Sequence, residues 1–158
     1  MHARLVEKEN LQDEFDHIEQ QARMLLPGMQ AIFGFQLIAC FNAAFKDLSA
    51  IHQDMHLAAL ILMMLSIFTV MTPAAYHRLA ESGQVSQRLV TLSTRLLMSA
   101  LVPMMLSISI EIYIVTFMIT KSGLISTVLS IGTFFGAVSE WFIFPLQVRN
   151  SRRHLRLV

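Results

Sequence analysis

Residues 96–120 read LLMSALVPMMLSISIEIYIVTFMIT, and Glu111 is the only charged residue among them. A helix needs about 20 apolar residues, at 1.5 Å of rise per residue, to cross a bilayer core of about 30 Å. The run is therefore long enough to span a membrane with some tilt. Transmembrane β-strands show alternating segments of about ten residues instead, so this pattern predicts a membrane-spanning helix.

Three further runs have the same character. Residues 24–45 and 55–76 contain no Asp, Glu, Lys or Arg, and residues 122–148 contain only Glu140. Because the connections between runs are short, consecutive helices should be antiparallel neighbours. We predict an all-α polytopic membrane protein, a four-helix transmembrane antiparallel bundle over residues 23–148, with spans at about 24–46, 55–77, 90–120 and 123–147.

The composition agrees with this class. Of the 158 residues, 54% are hydrophobic and 15% are charged, and the mean hydropathy is +0.56. A soluble domain of this size needs more polar residues to cover its surface. The 12 Lys and Arg nearly balance the 11 Asp and Glu, which disfavours a nucleic-acid partner. Cys40 is the only cysteine, and no catalytic order, phosphate-binding loop or dinucleotide fingerprint occurs, so we expect no enzyme activity, cofactor or metal.

Basic residues predict the orientation in the membrane. The connections after the first and third runs hold only Lys46 and Lys121. The other basic residues precede the first run, lie in the middle connection or belong to the tail 149–158, and by the positive-inside rule these parts face the cytoplasm. The charged segment before the first run is not typical of a cleaved signal peptide, so we expect both termini to be retained in the cytoplasm.

The segment before the first run is itself patterned. Leu5, Leu11, Phe15 and Ile18 recur every three to four residues among acidic side chains, which predicts an amphipathic N-terminal helix over residues 1–22. Such a helix lies on the membrane surface or packs on the protein. Its acidic character disfavours anionic lipid and favours packing on the protein, including the basic middle connection or the tail.

Glu111 is the first candidate functional residue. It lies about 14 Å inward from the end of its run, near the middle of a membrane, where an ionised carboxylate facing lipid costs at least about 2.5 kcal/mol. Gln36, Ser66 and Thr133 lie at comparable depth in the other runs. These four residues predict a proton or cation pathway, and the alternative is a protonated or hydrogen-bonded Glu that holds helices together.

Arg95 and Glu140 should lie at one depth near the cytoplasmic side of the third and fourth spans. They predict an ion pair, buried in the bundle or in a subunit interface, that fixes helix register or acts as a gate. Gly132 and Gly136 precede Glu140 at four-residue spacing, a pattern that permits close helix packing.

Two histidine clusters have alternative interpretations. Tyr76, His77 and Arg78 end the second run and are either interfacial anchors or a pH-sensing group. His52 and His56, four residues apart, could face one metal ion if the chain is helical there, but that ion would need a third ligand.

Four stretches carry a family resemblance: residues 19–30 (EQQARMLLPGMQ), 73–78 (PAAYHR), 93–95 (STR) and 141–146 (WFIFPL). In this order they resemble a family of small bacterial four-span membrane proteins, the domain of unknown function DUF6328, over nearly the whole chain. The resemblance implies a protein of the bacterial cytoplasmic (inner) membrane, with no assigned activity.

The function predicted from these residues is an ion-conducting or proton-coupled channel or transporter, with the bilayer and a proton or monovalent cation as partners. We expect a homo-oligomer, because four short helices enclose little room for a pathway. The alternative is a non-catalytic membrane scaffold or sensor that acts through its amphipathic helix and basic tail.

Overall fold

Long helices make up the chain. The computed structural model describes residues 2–81 and 83–155, with side chains described for residues 10–81 and 83–149. Helix accounts for 91% of the described residues, and these residues form no strand. The helices are α1 (His2–Ala39), α2 (Ala43–Lys46), α3 (Ala50–Ala80), α4 (Gln87–Thr120), α5 (Gly123–Val138) and α6 (Phe144–Leu155), with a π-helical turn at Ser139–Ile143 between the last two.

Three helical stretches, at Ala50–Ala80, Gln87–Thr120 and Gly123–Arg149, are long and apolar enough to cross a membrane. This confirms the prediction of an all-helical fold with helices able to cross a membrane. The run 24–45 is not among the three. Helix α1 ends at Ala39, and the helical part of that run, residues 24–39, rises about 24 Å. A turn follows, in which the Asn42 side chain accepts a hydrogen bond from the Ala44 N–H at 3.0 Å and caps the short α2.

Side chains fix the ends of the long helices. The Glu81 carboxylate accepts hydrogen bonds from the N–H and the hydroxyl of Ser86, at 3.2 and 2.8 Å. The Ser86 hydroxyl in turn accepts from the Leu89 N–H at 3.1 Å, which caps α4. Between α4 and α5, Lys121 has a φ of 54°, a value that reverses the chain, and Ser122 caps α5.

The π-helical turn has a local cause. Pro145 has no N–H to donate to the carbonyl four residues earlier, and its ring presses on that carbonyl in a regular helix. The Phe144 N–H instead donates to the carbonyl of Ser139, five residues back. The wider turn contains Glu140, one of the two acidic residues in the apolar runs.

The chain divides into two compact units, and α3 and α4 contribute residues to both. Unit 1 comprises Met1–Asp47 and Leu60–Met104, and unit 2 comprises Leu48–Ala59 and Met105–Val158. Unit 1 has an apolar cluster in which two α1 residues pack with three from α4. Its members are Phe15, Ile18, Leu89, Val90 and Leu97.

The segment predicted as an amphipathic helix belongs to α1, which continues without a break beyond residue 22. Phe15 and Ile18 on its apolar face are buried, at 1% and 7% exposure, while Asp13 and Asp16 are exposed. The side chains of Leu5 and of the tail beyond Arg149 lie outside the described residues. In unit 1 the apolar face of α1 therefore packs on protein.

Candidate functional site

A histidine and a glutamate form a polar contact between two of the apolar helices of unit 2. The Nδ1 atom of His56 on α3 lies 2.8 Å from the Oε1 atom of Glu111 on α4. The exposed fraction of the side chain is 2% for His56 and 17% for Glu111. The pair is thus an interhelical hydrogen bond between two ionisable groups that the protein largely covers.

A serine positions the two helices for this contact. The Ser107 hydroxyl on α4 donates a hydrogen bond to the carbonyl of Ala59 on α3 at 2.8 Å, and both residues are fully buried. Ser107 lies one helical turn before Glu111, and Ala59 lies nearly one turn after His56, so each shares a helix face with its member of the pair. The bond therefore turns the faces that carry His56 and Glu111 toward each other.

His52 occupies the next turn of the same face of α3. Its ring stacks on Phe117, with centroids 4.4 Å apart, and on Tyr113 at 5.9 Å. Its Nδ1 atom shares a hydrogen bond of 2.6 Å with the Ser49 hydroxyl. Three aromatic rings from α3 and α4 thus stack together at the turn of α3 that precedes His56.

The possible metal site at His52 and His56 finds no further ligand. The two Nδ1 atoms have different partners, Ser49 and Glu111. Within residues 10–81 and 83–149, no three His, Cys, Asp or Glu side chains are grouped so that they could hold a metal ion. Whether these imidazoles bind metal in the assembled protein stays a hypothesis.

Helix α5 adds hydroxyl groups to unit 2. The Ser130 hydroxyl donates to the carbonyl of Ser109 on α4 at 2.7 Å, and the Ser109 hydroxyl donates within α4 to Met105. The hydroxyl of Thr133, one of the predicted pathway residues, donates to the carbonyl of Leu129 in its own helix at 2.9 Å. Ser130, rather than Thr133, therefore connects α5 to α4.

The other two predicted pathway residues belong to unit 1. Gln36 on α1 is 4% exposed, and Ser66 on α3 is fully buried. The Ser66 hydroxyl donates to the carbonyl of Ala100 on α4. Gln36 and Ser66 are therefore both buried polar side chains, as the predicted polar layer requires. A continuous layer of Gln36, Ser66, Glu111 and Thr133 stays a prediction.

The side chains of Arg95 and Glu140 are both exposed, each on its own unit. A methyl group added at Gly132 or Gly136 would meet nothing within 4 Å, so this face of α5 is open in the single chain. The predicted Arg95–Glu140 ion pair and the close packing at the two glycines stay predictions.

Unit 1 contains a cleft of about 830 Å³, which we call the α1–α3 cleft. Two of the stretches that carry the family resemblance line it. The first contributes Arg23 and Leu26 of α1, and the second contributes Pro73, His77 and Arg78 of α3.

Two residues beside the cleft had alternative interpretations. The His77 ring lies 4.8 Å from the ring of the buried Phe15, which places His77 at the edge of the apolar cluster. Tyr76 is half-buried against the same cluster. The roles of Tyr76, His77 and Arg78 as anchors or as a pH sensor stay predictions.

Sequence reasoning identified Glu111 but missed its partner. It considered His56 only together with His52, as two imidazoles that could face one metal ion if a third ligand were present. A usable signal is present: His56 lies as far before the end of α3 at Ala80 as Glu111 lies after the start of α4 at Gln87. In an antiparallel pair of helices joined by a short connection, residues equally distant from that connection lie at one level.

The fold and the pair define a class: an all-helical protein with helices able to cross a membrane, one of whose interhelical contacts joins two ionisable side chains. The model of the family of unknown function DUF6328 matches residues 6–145, and the chain belongs to this family. This confirms the resemblance seen in the motifs. No curated protein and no solved structure matches the chain.

Proposed function

We propose that the protein is a multi-pass component of the bacterial cytoplasmic membrane, with four spans and both termini in the cytoplasm. Three apolar helices support the second, third and fourth spans. The apolar part of α1 supports the first, because side chains such as Phe35 and Ile38, 73% and 64% exposed, require an apolar environment. The distribution of basic residues supports the orientation.

We propose that this protein moves protons, or a monovalent cation coupled to protons, across the membrane as a homo-oligomeric channel or transporter. The observation that carries the proposal is the 2.8 Å contact between His56 and Glu111. Ionisable side chains inside membrane-spanning helices are costly, and they often belong to proton relays or ion pathways. An imidazole and a carboxylate in hydrogen-bond contact can pass a proton between them with little movement of either side chain.

The surroundings of the pair support a pathway. On the side toward the start of α3 lie the stacked rings of His52, Tyr113 and Phe117, which can limit access of water. Gln36, Ser66 and Thr133 remain proposed pathway residues, and Arg95 with Glu140 remains a proposed gate between subunits. No part of this proposal requires an enzymatic step.

The test is ion flux into liposomes that contain the purified protein, with proton, sodium and potassium gradients imposed in turn. We expect wild-type flux to be lost in Glu111→Gln, which keeps the shape of the side chain but removes its exchangeable acid. Asp54→Asn is the matched control, because Asp54 is an exposed carboxylate on α3, two residues before His56 and on a different face of the helix. Equal flux from Glu111→Gln and wild type would refute the role of Glu111.

A second candidate is a non-catalytic scaffold or sensor that acts through α1 and the basic tail. The burial of Phe15 in unit 1 favours it, since α1 is thereby joined to the segment with His77 and Arg78. No flux from folded wild-type protein under any gradient would favour this candidate. Because deleting residues 1–20 would remove Phe15 and Ile18 from the core, exposed α1 residues such as Asp13 and Asp16 are the better sites for its test.

A further inference from the structure

The α1–α3 cleft has apolar walls. At about 830 Å³ it has the size of small-molecule sites in proteins, which range from about 300 to 1,000 Å³. Leu26 of α1, Val70 and Ala74 of α3 and Leu97 of α4 contribute to its lining. An occupant of this cleft must therefore offer apolar surface, as a hydrocarbon chain does.

Basic side chains contribute to the same lining. Arg23, His77 and Arg78 contribute to it, and Glu19 is the only acidic residue there. Glu19 is already bonded to Arg23 at 3.3 Å. Arg78 is exposed and forms no ion pair within the described side chains, so its guanidinium is the group that an anionic ligand would meet. Guanidinium groups bind phosphate with paired, charge-assisted hydrogen bonds.

An apolar cleft with an available arginine fits an amphiphile whose head carries a phosphate. We propose that the α1–α3 cleft binds an anionic phospholipid, with the phosphate at Arg78 and one acyl chain along the apolar wall. A bilayer supplies such a lipid at high local concentration, and basic pockets between membrane helices are known to bind anionic headgroups. The site is independent of the His56–Glu111 pair, since every lining residue belongs to unit 1.

The experiment compares lipid retention by the full-length protein in detergent, offered equal amounts of phosphatidylglycerol and phosphatidylcholine and analysed by native mass spectrometry. We expect phosphatidylglycerol to be retained in preference, and Arg78→Gln to weaken its binding about tenfold or more, as expected for loss of a charge-assisted hydrogen bond. Arg88→Gln is the matched control, because Arg88 is also an exposed arginine of unit 1 but does not line the cleft. Equal retention of both lipids, or equal effects of the two substitutions, would overturn the proposal.

A second variant tests the acyl chain. Ala74→Trp fills the apolar wall and keeps Arg78, so we expect it to weaken lipid binding, whereas Ala80→Trp, outside the lining on the same helix, should not. Glycerol 3-phosphate, which has the anion without chains, should fail to displace the lipid. Displacement by glycerol 3-phosphate together with normal binding by Ala74→Trp would identify a site for soluble phosphates and refute the lipid.

The lipid measurement is separate from the flux measurement. Glu111→Gln should retain phosphatidylglycerol as the wild type does, whatever its flux. Lipid binding lost in Glu111→Gln but kept in Arg78→Gln would contradict the assignment of the ligand to this cleft.

Discussion

Units 1 and 2 each contain part of helices α3 and α4, but the side chains buried in the two units differ in polarity. In unit 1 the buried side chains are largely apolar, and Phe15 of α1 packs against the beginning of α4. Unit 2 contains a largely covered ionisable pair, His56 and Glu111. Apolar burial stabilises a fold directly, whereas a buried ionisable pair often adds little net stability. Together with the proposed function, the comparison predicts that unit 1 contributes stability and that the pair of unit 2 contributes to ion movement.

The largest effect should come from the apolar cluster. Phe15→Ala removes a ring that is 1% exposed, and we expect it to lower the free energy of unfolding by about 3–5 kcal/mol, the usual cost of the cavity and of lost burial. The measurement is unfolding in detergent followed by circular dichroism. Gln20→Ala on the exposed side of α1 is the control and should change the free energy by no more than about 0.5 kcal/mol. Similar losses for both would contradict the packing of α1 in unit 1.

The pair of unit 2 should respond differently. His56→Leu leaves Glu111 without this partner and should lower the free energy of unfolding by about 1–3 kcal/mol. The double variant His56→Leu/Glu111→Leu removes both polar groups and should recover most of that loss, since apolar replacement of a buried pair is often neutral or stabilising. Its proton flux should nevertheless be absent.

These two measurements separate stability from activity. A double variant that remains as unstable as His56→Leu would show that the pair is structural, which is the alternative considered for Glu111 from the sequence. A stable double variant with normal flux would exclude the pair from the pathway.

The helices could be predicted because a continuous apolar run is recognisable from the sequence alone, without knowing which helices it packs against. The DUF6328 resemblance, carried by residues 19–30 and 73–78 above all, was confirmed over residues 6–145. The early end of α1 was not predicted, since it depends on a turn at residues 40–42 inside an apolar run and on the Asn42 cap. Hydropathy does not register a turn that interrupts a run without changing its polarity.

The His56–Glu111 contact is a second feature that could not be predicted from the sequence. Helix α3 begins at Ala50, before the apolar run that starts at residue 55. Hydropathy alone assigns the more polar residues 50–54 to a connection. His56 therefore lies within the helix and not at its edge. Which residue faces Glu111 also depends on rotation about the helix axes, set by contacts such as that of Ser107 with Ala59, and a sequence does not specify such rotation.

One substitution within unit 1 should raise the free energy of unfolding rather than lower it, by a smaller amount than the changes above. The Ser93 hydroxyl is fully buried on α4 and has no hydrogen-bond partner among the described residues. Burial of an unsatisfied hydroxyl costs free energy, so we expect Ser93→Ala to raise the free energy of unfolding by about 1 kcal/mol. Ser109→Ala, which removes a buried hydroxyl bonded to its own helix, provides the comparison and should not stabilise. Destabilisation by Ser93→Ala would mean that this hydroxyl has a partner in the assembled protein.

The smallest effects should come from the serines that join α3 to α4, one in each unit. Ser66 donates to Ala100 in unit 1, and Ser107 donates to Ala59 in unit 2. Interhelical hydrogen bonds of this kind contribute about 0.6 kcal/mol on average, so we expect Ser66→Ala and Ser107→Ala each to lower the free energy of unfolding by that amount. Thr133→Ala, whose hydroxyl bonds only within α5, should have less effect.

The double variant Ser66→Ala/Ser107→Ala tests whether the stabilities of the two units change independently. If they do, the losses from Ser66→Ala and Ser107→Ala should add to within about 0.5 kcal/mol, because the two bonds share no partner. A loss smaller than that sum would mean that one bond depends on the other, so that α3 and α4 respond as a single pair of helices. In that case a substitution at Ser66 should also change flux through Glu111, whereas independent units predict normal flux in Ser66→Ala unless Ser66 itself lies on the pathway.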